Sequence, residues 1–235
     1  LRFSDNSWCK SFLTGKSTKQ FMKMITFASQ KQTLFMKPSK NIPVPVLRRM
    51  PSYLSFVKTL QKQGEKFVSS TRIAEYMEID STQVTKTRVG YEVDSFVSVL
   101  EDFLGFSRID NAFLVGAGSL GCALLQDKGL SAFGLQIEAA FDTDKSKIGT
   151  KVNDIEIFHI DQFRMMAQER HVVIGIITVP AEYAQNVADL MVAWGIKAIW
   201  NFTPARIKVP SHIVVQNTTI YMNLAILFNK LYHQE

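Results

Sequence analysis

Apolar positions recur at helical spacing early in the chain. In the stretch IPVPVLRRMPSYLSFVKTLQKQG, residues 42–64, Tyr53, Phe56, Val57 and Leu60 fall three or four apart, and Gly64 is placed to stop the helix. The next stretch, VSSTRIAEYMEIDSTQVTK, offers Ser69 or Ser70 as a cap for a short helix bearing Ile73, Ala74 and Met77. Glu78-Ile79-Asp80 then forms a turn, and Ser81-Thr82-Gln83-Val84 opens a second helix with a polar first turn. Helix, tight turn and polar-led helix make a helix-turn-helix pattern, from which Ser81, Thr82, Gln83 and Lys86 reach base edges and phosphates. After RVGYEV, a third amphipathic run carries Val93, Phe96, Val97, Leu100, Phe103 and Leu104, closed by Gly105.

From about Arg108 the period changes. Short apolar runs alternate with helical stretches, which predicts a doubly wound parallel sheet. The expected strands are 112–115, 137–141, 172–179, 198–202 and 213–215. The expected helices are 120–128, 161–169 and 182–194. The continuous VVIGIITV reads as a central strand covered on both faces. At the C-terminus Ile220, Leu224, Leu227, Phe228 and Leu231 form a one-sided apolar stripe suited to packing on a partner. The expected organisation is therefore α/β, with an N-terminal helix-turn-helix domain over 41–107, a Rossmann-like domain over 108–218 and a C-terminal helix over 219–235. Residues 1–40 mix Lys, Ser, Thr and Phe without a period. They are expected to be a flexible basic tail, with Met36 a candidate start; LTGKST within them lacks the leading glycine of a phosphate-binding loop.

The second domain contains a glycine fingerprint in register with its elements. Gly116-Ala117-Gly118-Ser119-Leu120-Gly121 follows a predicted strand and opens a predicted helix. There the first glycine permits a tight turn, the second a close approach to a pyrophosphate, and the third close packing of helix on strand. Asp142, ending the next strand, is placed to accept from both ribose hydroxyls, and it repels a 2′-phosphate, so NAD(H) is the expected cofactor. Lys145 and Lys147 bring positive charge that would welcome such a phosphate; Lys147 is included in the cofactor site. Two more segments fall at predicted carboxyl ends of strands, where such sheets bind ligands. They are Thr178-Val179-Pro180 and Asn201-Phe202-Thr203-Pro204.

Charge also divides the chain, near residue 90. Residues 1–90 hold sixteen Lys or Arg against five Asp or Glu, whereas residues 91–235 hold eleven against sixteen. A basic first half suits a polyanion partner, and with the helix-turn-helix pattern this predicts double-stranded DNA. Cys9 and Cys122 match no metal spacing, so no metal site is expected; two lone thiols suit the reducing cytoplasm. No apolar run is long enough to cross a bilayer, and no membrane partner is expected. His159, His171, His212 and His233 lie outside the crevice segments. The acid/base group that hydride transfer usually needs is therefore missing, which argues against an enzyme and against a catalytic residue. The competing readings are an NAD-dependent dehydrogenase and a CoA-binding Rossmann protein, each with a basic appendage.

Taken together, VPVPVLRRMPSYL, VSSTRIAEYMEID, RVGYEV, VGAGSLG, FDTDKSKIGTKV, ITVPA and WNFTPARIKVP resemble the Rex family of bacterial repressors that sense the NADH/NAD⁺ balance. The resemblance runs from about Pro43 to the C-terminus. It implies a winged-helix domain, a Rossmann domain for NAD(H), a homodimer that exchanges its C-terminal helix, and release of a palindromic operator on NADH binding. Arg48, Arg49, Tyr53, Ser69, Ser70 and Arg88, within its motifs, join the recognition-helix residues as expected DNA contacts. Tyr91 matches the family tyrosine near the nicotinamide, though its place also suits a core residue at the domain boundary. Two departures stand out. Lys86 runs directly into Thr87-Arg88-Val89-Gly90-Tyr91, which leaves no room for the family's hairpin wing; a recognition helix ending at Lys86 would be unusually short, so an omitted loop is expected. Thr219 stands where many relatives begin the C-terminal helix with an aspartate, which puts the switching chemistry in question.

Overall fold

A computed structural model describes residues 44–76 and 90–232. The chain divides into two compact units between Arg108 and Ile109. The tail, the Glu78–Asp80 turn, and Ser81, Thr82, Gln83, Lys86 and Arg88 lie outside the described residues.

In the first unit, helix α1 (Val44–Lys62) is longer than the sequence pattern predicts and runs through Pro51, which removes one ladder donor without ending the helix. Strand β1 (Phe67–Val68) leads to helix α2 (Ser70–Tyr76). The Ser69 hydroxyl accepts from the Arg72 N–H at 3.1 Å, so Ser69 is the cap. Strand β2 (Tyr91–Glu92) precedes helix α3 (Val93–Leu104). β1 and β2 pair antiparallel, Val68 opposite Tyr91, so the strand before α2 is the partner of the strand after residue 89. Gly105 closes α3 with φ 79°, and the Phe106 N–H reaches back to the Glu101 carbonyl at 2.8 Å. The core gathers Met50, Tyr53, Leu54, Val57 and Leu60 of α1, Ile73 of α2, Tyr91, and Val93, Phe96, Val97 and Leu100 of α3.

The second unit is a seven-stranded sheet. Its strands are β3 (Asp110–Val115), β4 (Leu135–Asp142), β5 (Lys151–Val152), β6 (Ile155–His159), β7 (Ile174–Ile177), β8 (Ala198–Asn201) and β9 (Val214–Asn217). The helices are α4 (Ser119–Gln126), α5 (Gly129–Ala132), α6 (Phe163–Glu169), α7 (Ala184–Ala193) and α8 (Ile220–Tyr232). Across the sheet the order is β5-β6-β4-β3-β7-β8-β9, parallel except for β5. Without β5 this is the doubly wound order of a dinucleotide-binding sheet. From β3 the chain first builds outward through β4 and β6, then returns to place β7, β8 and β9 on the other side. The switch point lies between β3 and β7, so a crevice opens at their carboxyl ends.

β5 and β6 have no counterpart in the sequence expectation. They form a two-residue hairpin whose turn residues, Asn153 and Asp154, have φ of 50° and 65°. That is the twist-matched turn that Asn and Asp tolerate. On one face of the sheet Phe113, Phe141 and Phe163 meet with centroids 4.9–5.4 Å apart. Each such ring pair contributes roughly 0.5–1.5 kcal/mol beyond area burial. Of the expected 172–179 strand only the central four residues, Ile174–Ile177, are strand; Val173 belongs to the preceding loop, and its carbonyl accepts from the Lys197 N–H.

Candidate nucleotide site and DNA-binding unit

The glycine turn is built by contacts that exclude any side chain at two of its three glycines. Gly116 has φ 107°, and a Cβ there would stand 2.8 Å from the Thr178 backbone. At Gly121 a Cβ would lie 2.0 Å from the Gly116 carbonyl oxygen, so α4 packs on the turn only through a bare backbone. Gly118 differs: a Cβ would meet nothing within 4 Å. Open space of this kind is what close approach of a pyrophosphate requires. Gly118 is also the N-cap of α4 and gives it no side-chain cap, leaving the first-turn amides to a ligand. Ser119 and Leu120 are exposed beside it, and Ala117 is buried. The residues present therefore fit a dinucleotide phosphate.

Thr178 holds the turn from the neighbouring strand end. Its hydroxyl donates to the Gly116 carbonyl at 2.7 Å, and its N–H donates to the Val115 carbonyl at 3.0 Å. Val179 is half-buried beside it, and Pro180 is exposed.

Asp142 ends β4 with its side chain 13% exposed. Its carboxylate accepts from the Ala117 N–H at 2.9 Å, from the Thr143 N–H at 2.8 Å and from the Asp144 N–H at 3.0 Å. It thus fixes the glycine turn to the end of β4. Lys147 lies 3.3 Å from Asp142 and 3.4 Å from Asp144. Burial pushes the lysine's pKa down, but hydrogen bonds and attraction to the two aspartates outweigh it and leave it raised. The Asp144 carboxyl is held below its ordinary value, chiefly by the Ser146 hydroxyl and N–H and then by Lys147. The cation suspected of welcoming a 2′-phosphate is therefore already engaged by two carboxylates.

The second crevice segment requires a correction. Asn201 and Thr203, expected to touch cofactor, are 0% and 3% exposed. The Asn201 side-chain oxygen accepts from the Thr203 N–H and hydroxyl, and its NH₂ donates to the Ala205 carbonyl and to Asn217. Their side-chain polar atoms are taken up in shaping the loop. Phe202 is half-buried against Trp200, with centroids 4.6 Å apart, and Pro204 is exposed. His159 was passed over because β6 was not foreseen. It ends β6 in register with Asp142, at the same carboxyl edge, and its Nδ1 accepts from the Asp161 N–H at 3.3 Å. A groove of about 890 Å³, lined by Leu124, Lys128, Glu138, Asn153 and Arg170 among others, opens at the amino ends of β4 and β6, away from the crevice.

In the first unit Arg48 is exposed, Arg49 half-buried and Ser69 exposed. Ser70 opens α2. Tyr53 requires the second correction: at 1% exposure it belongs to the core and offers no surface to DNA. Its helical spacing with Val57 and Leu60 already placed it on the apolar face. Of the two readings of Tyr91, the core one describes where its ring sits, 2% exposed and stacked on Phe96 at 5.2 Å.

Comparison with known proteins follows the same division. Residues 41–86 match the family model described as "Putative DNA-binding protein N-terminus", and residues 107–205 match that of the CoA binding domain. The redox-sensing transcriptional repressor Rex of Bacteroides fragilis is 55% identical over 209 residues, 85% of this chain and 95% of that protein. The chain belongs to the Rex family. Rex of Treponema denticola is 40% identical over 78% of this chain and 92% of its own length. Among solved structures, that of RSP, a Rex-family repressor, with β-NAD⁺ and operator DNA superposes with a TM-score of 0.77 at 28% identity, covering 82% of this chain and 93% of RSP. RSP with β-NADH gives 0.74 at 29% identity, covering 81% and 94%. A winged-helix unit followed by a Rossmann-like unit is thus the fold of this chain.

Proposed function

We propose that this protein is a DNA-binding transcriptional repressor that senses the NADH/NAD⁺ ratio, with NADH releasing it from a palindromic operator. The observation that carries the reading is the open cradle above Gly118, framed by the glycine turn and by Asp142, in a chain of the Rex family. The first unit reads the operator through the segment after α2 together with exposed Arg48, and the second binds NAD(H) through Gly116–Gly121, Asp142 and the Thr178–Pro180 strand end. RSP has been solved with NADH, and with NAD⁺ and operator DNA, which supports both halves.

We assign no catalysis. Relatives are named as transcriptional repressors, which supports a regulator without catalysis. α8 exposes Leu224, Ile226, Leu227, Phe228 and Leu231, which favours a homodimer in which this helix is exchanged. No helix among the described residues is long and apolar enough to cross a membrane; action on a bacterial operator supports a cytoplasmic repressor.

Calorimetric titration of the full chain with NADH, NAD⁺ and coenzyme A tests the cofactor. One NADH site per chain, with coenzyme A weaker by at least tenfold, is expected; preference for coenzyme A would overturn the assignment, as would steady NADH oxidation by any substrate offered.

A further inference from the structure

The crevice and the root of the C-terminal helix share one buried side chain. Asn201 ends β8 and is 0% exposed. Its Oδ1 accepts from the Thr203 N–H at 3.0 Å and from the Thr203 hydroxyl at 2.8 Å. Its Nδ2 donates to the Ala205 carbonyl at 2.8 Å and to Asn217 Oδ1 at 2.9 Å. A primary amide has two donors and two acceptor sites, so every place is filled. Two bonds to Thr203 and one to Ala205 hold the loop at the carboxyl end of β8. The fourth holds Asn217, three residues before α8.

Backbone bonds continue the chain in both directions. The Asn201 carbonyl accepts from the Thr218 N–H at 2.8 Å, and the neighbouring Trp200 Nε1 donates to the Thr218 hydroxyl at 2.9 Å. Toward the glycine turn, the Phe202 N–H donates to the Ile177 carbonyl at 2.9 Å, and the next residue, Thr178, donates to the Gly116 carbonyl. A continuous hydrogen-bonded path therefore joins the pyrophosphate turn to the start of α8. A saturated buried amide resists partial displacement, because losing one partner leaves a polar group unsatisfied in a low-dielectric site. Movement of the Thr203–Ala205 loop must then either carry Asn217 with it or break the network.

We propose that Asn201 is a positioning residue that transmits nucleotide occupancy of the crevice to the root of α8, and through that helix to operator affinity. The inference rests on the NADH-responsive repressor reading. Allosteric coupling between sites commonly amounts to about 5- to 150-fold in affinity; the network predicts that this ratio, not either binding step, depends on the Asn201–Asn217 bond.

The test compares the full-length wild type with Asn217→Leu, which deletes the acceptor, and Asn217→Asp, which keeps it. NADH affinity is measured by calorimetry, and operator affinity by gel shift with and without saturating NADH. Asn217→Leu should leave NADH affinity and nucleotide-free operator affinity within about threefold of wild type, while the weakening of operator binding by NADH shrinks by about fivefold or more. Asn217→Asp should retain the wild-type ratio. If Asn217→Leu does not fold, Trp200→Phe, which removes the indole N–H from Thr218 together with part of the ring, carries the comparison to the neighbouring bond at the root of α8. A wild-type ratio in a folded Asn217→Leu or Trp200→Phe variant would overturn the relay. A wild-type protein whose operator binding ignores NADH would instead overturn the repressor reading and the relay with it.

Discussion

Asp142 does two jobs that the sequence reading treats as one. Its carboxylate accepts from Ala117, Thr143 and Asp144, so it locks the glycine turn to the end of β4, beside the ribose role proposed for it. Hydrogen bonds to a charged group contribute about 1.5–3 kcal/mol each. Asp142→Ala should therefore weaken NADH binding by about tenfold or more and lower the melting temperature, both read on the same protein in calorimetric titration and scanning; unchanged NADH affinity would remove the ribose role. Gly121→Ala is expected to be more severe, because its methyl would sit 2.0 Å from the Gly116 oxygen and α4 must move. Loss of NADH binding together with a melting temperature reduced by several degrees checks this; a variant that binds like wild type would show that the turn relaxes. The glycines and Asp142 were legible because each answers a fixed stereochemical demand at a fixed spacing. Asn201 and Thr203 were misjudged for a related reason: a strand's carboxyl end brings residues to the crevice, but spacing does not say which polar atoms are consumed by the loop itself.

At the scale of elements, long periodic segments were readable and short ones were not. The apolar faces of α1 and α3, with Val57, Leu60, Phe96 and Leu100, are buried as their spacing implies. β6 was missed because Ile155–His159 is five residues long and follows a two-residue strand, too little for alternation to register. The Asn153-Asp154 dipeptide between Val152 and Ile155 was the usable signal, a hairpin turn overlooked amid polar neighbours. Missing β6 also hid His159 at the ligand edge of the sheet. α8 is the element whose burial is unfinished: Leu227 is 58% and Leu231 61% exposed. The homodimer proposed through α8 predicts that Leu227→Glu gives a monomer in sedimentation velocity without lowering NADH affinity by more than about twofold, since a charge on an interface stripe carries a large desolvation penalty. A dimer that persists would place the interface elsewhere.

Over the whole molecule, the division of charge and the division of structure fall close together without coinciding: the basic excess lies in residues 1–40, while residues 41–107 hold eight Lys or Arg against eight Asp or Glu. The basic segment and the acidic segment meet within twenty residues of the boundary at Arg108, and the winged-helix and Rossmann units lie on either side of it. Each unit alone is a common module; their combination in one chain is what makes nucleotide binding a regulator of DNA binding. A ligand shifts such an equilibrium only through unequal affinity for the two states. The quantity that decides regulation is therefore a ratio of operator affinities with and without nucleotide. Fluorescence anisotropy of a labelled palindromic operator, titrated with this protein and then separately with NADH and NAD⁺ at fixed salt, measures it directly. Release by NADH at concentrations where NAD⁺ leaves the complex intact is the predicted result. Operator binding that responds equally to both nucleotides, or to neither, would contradict it.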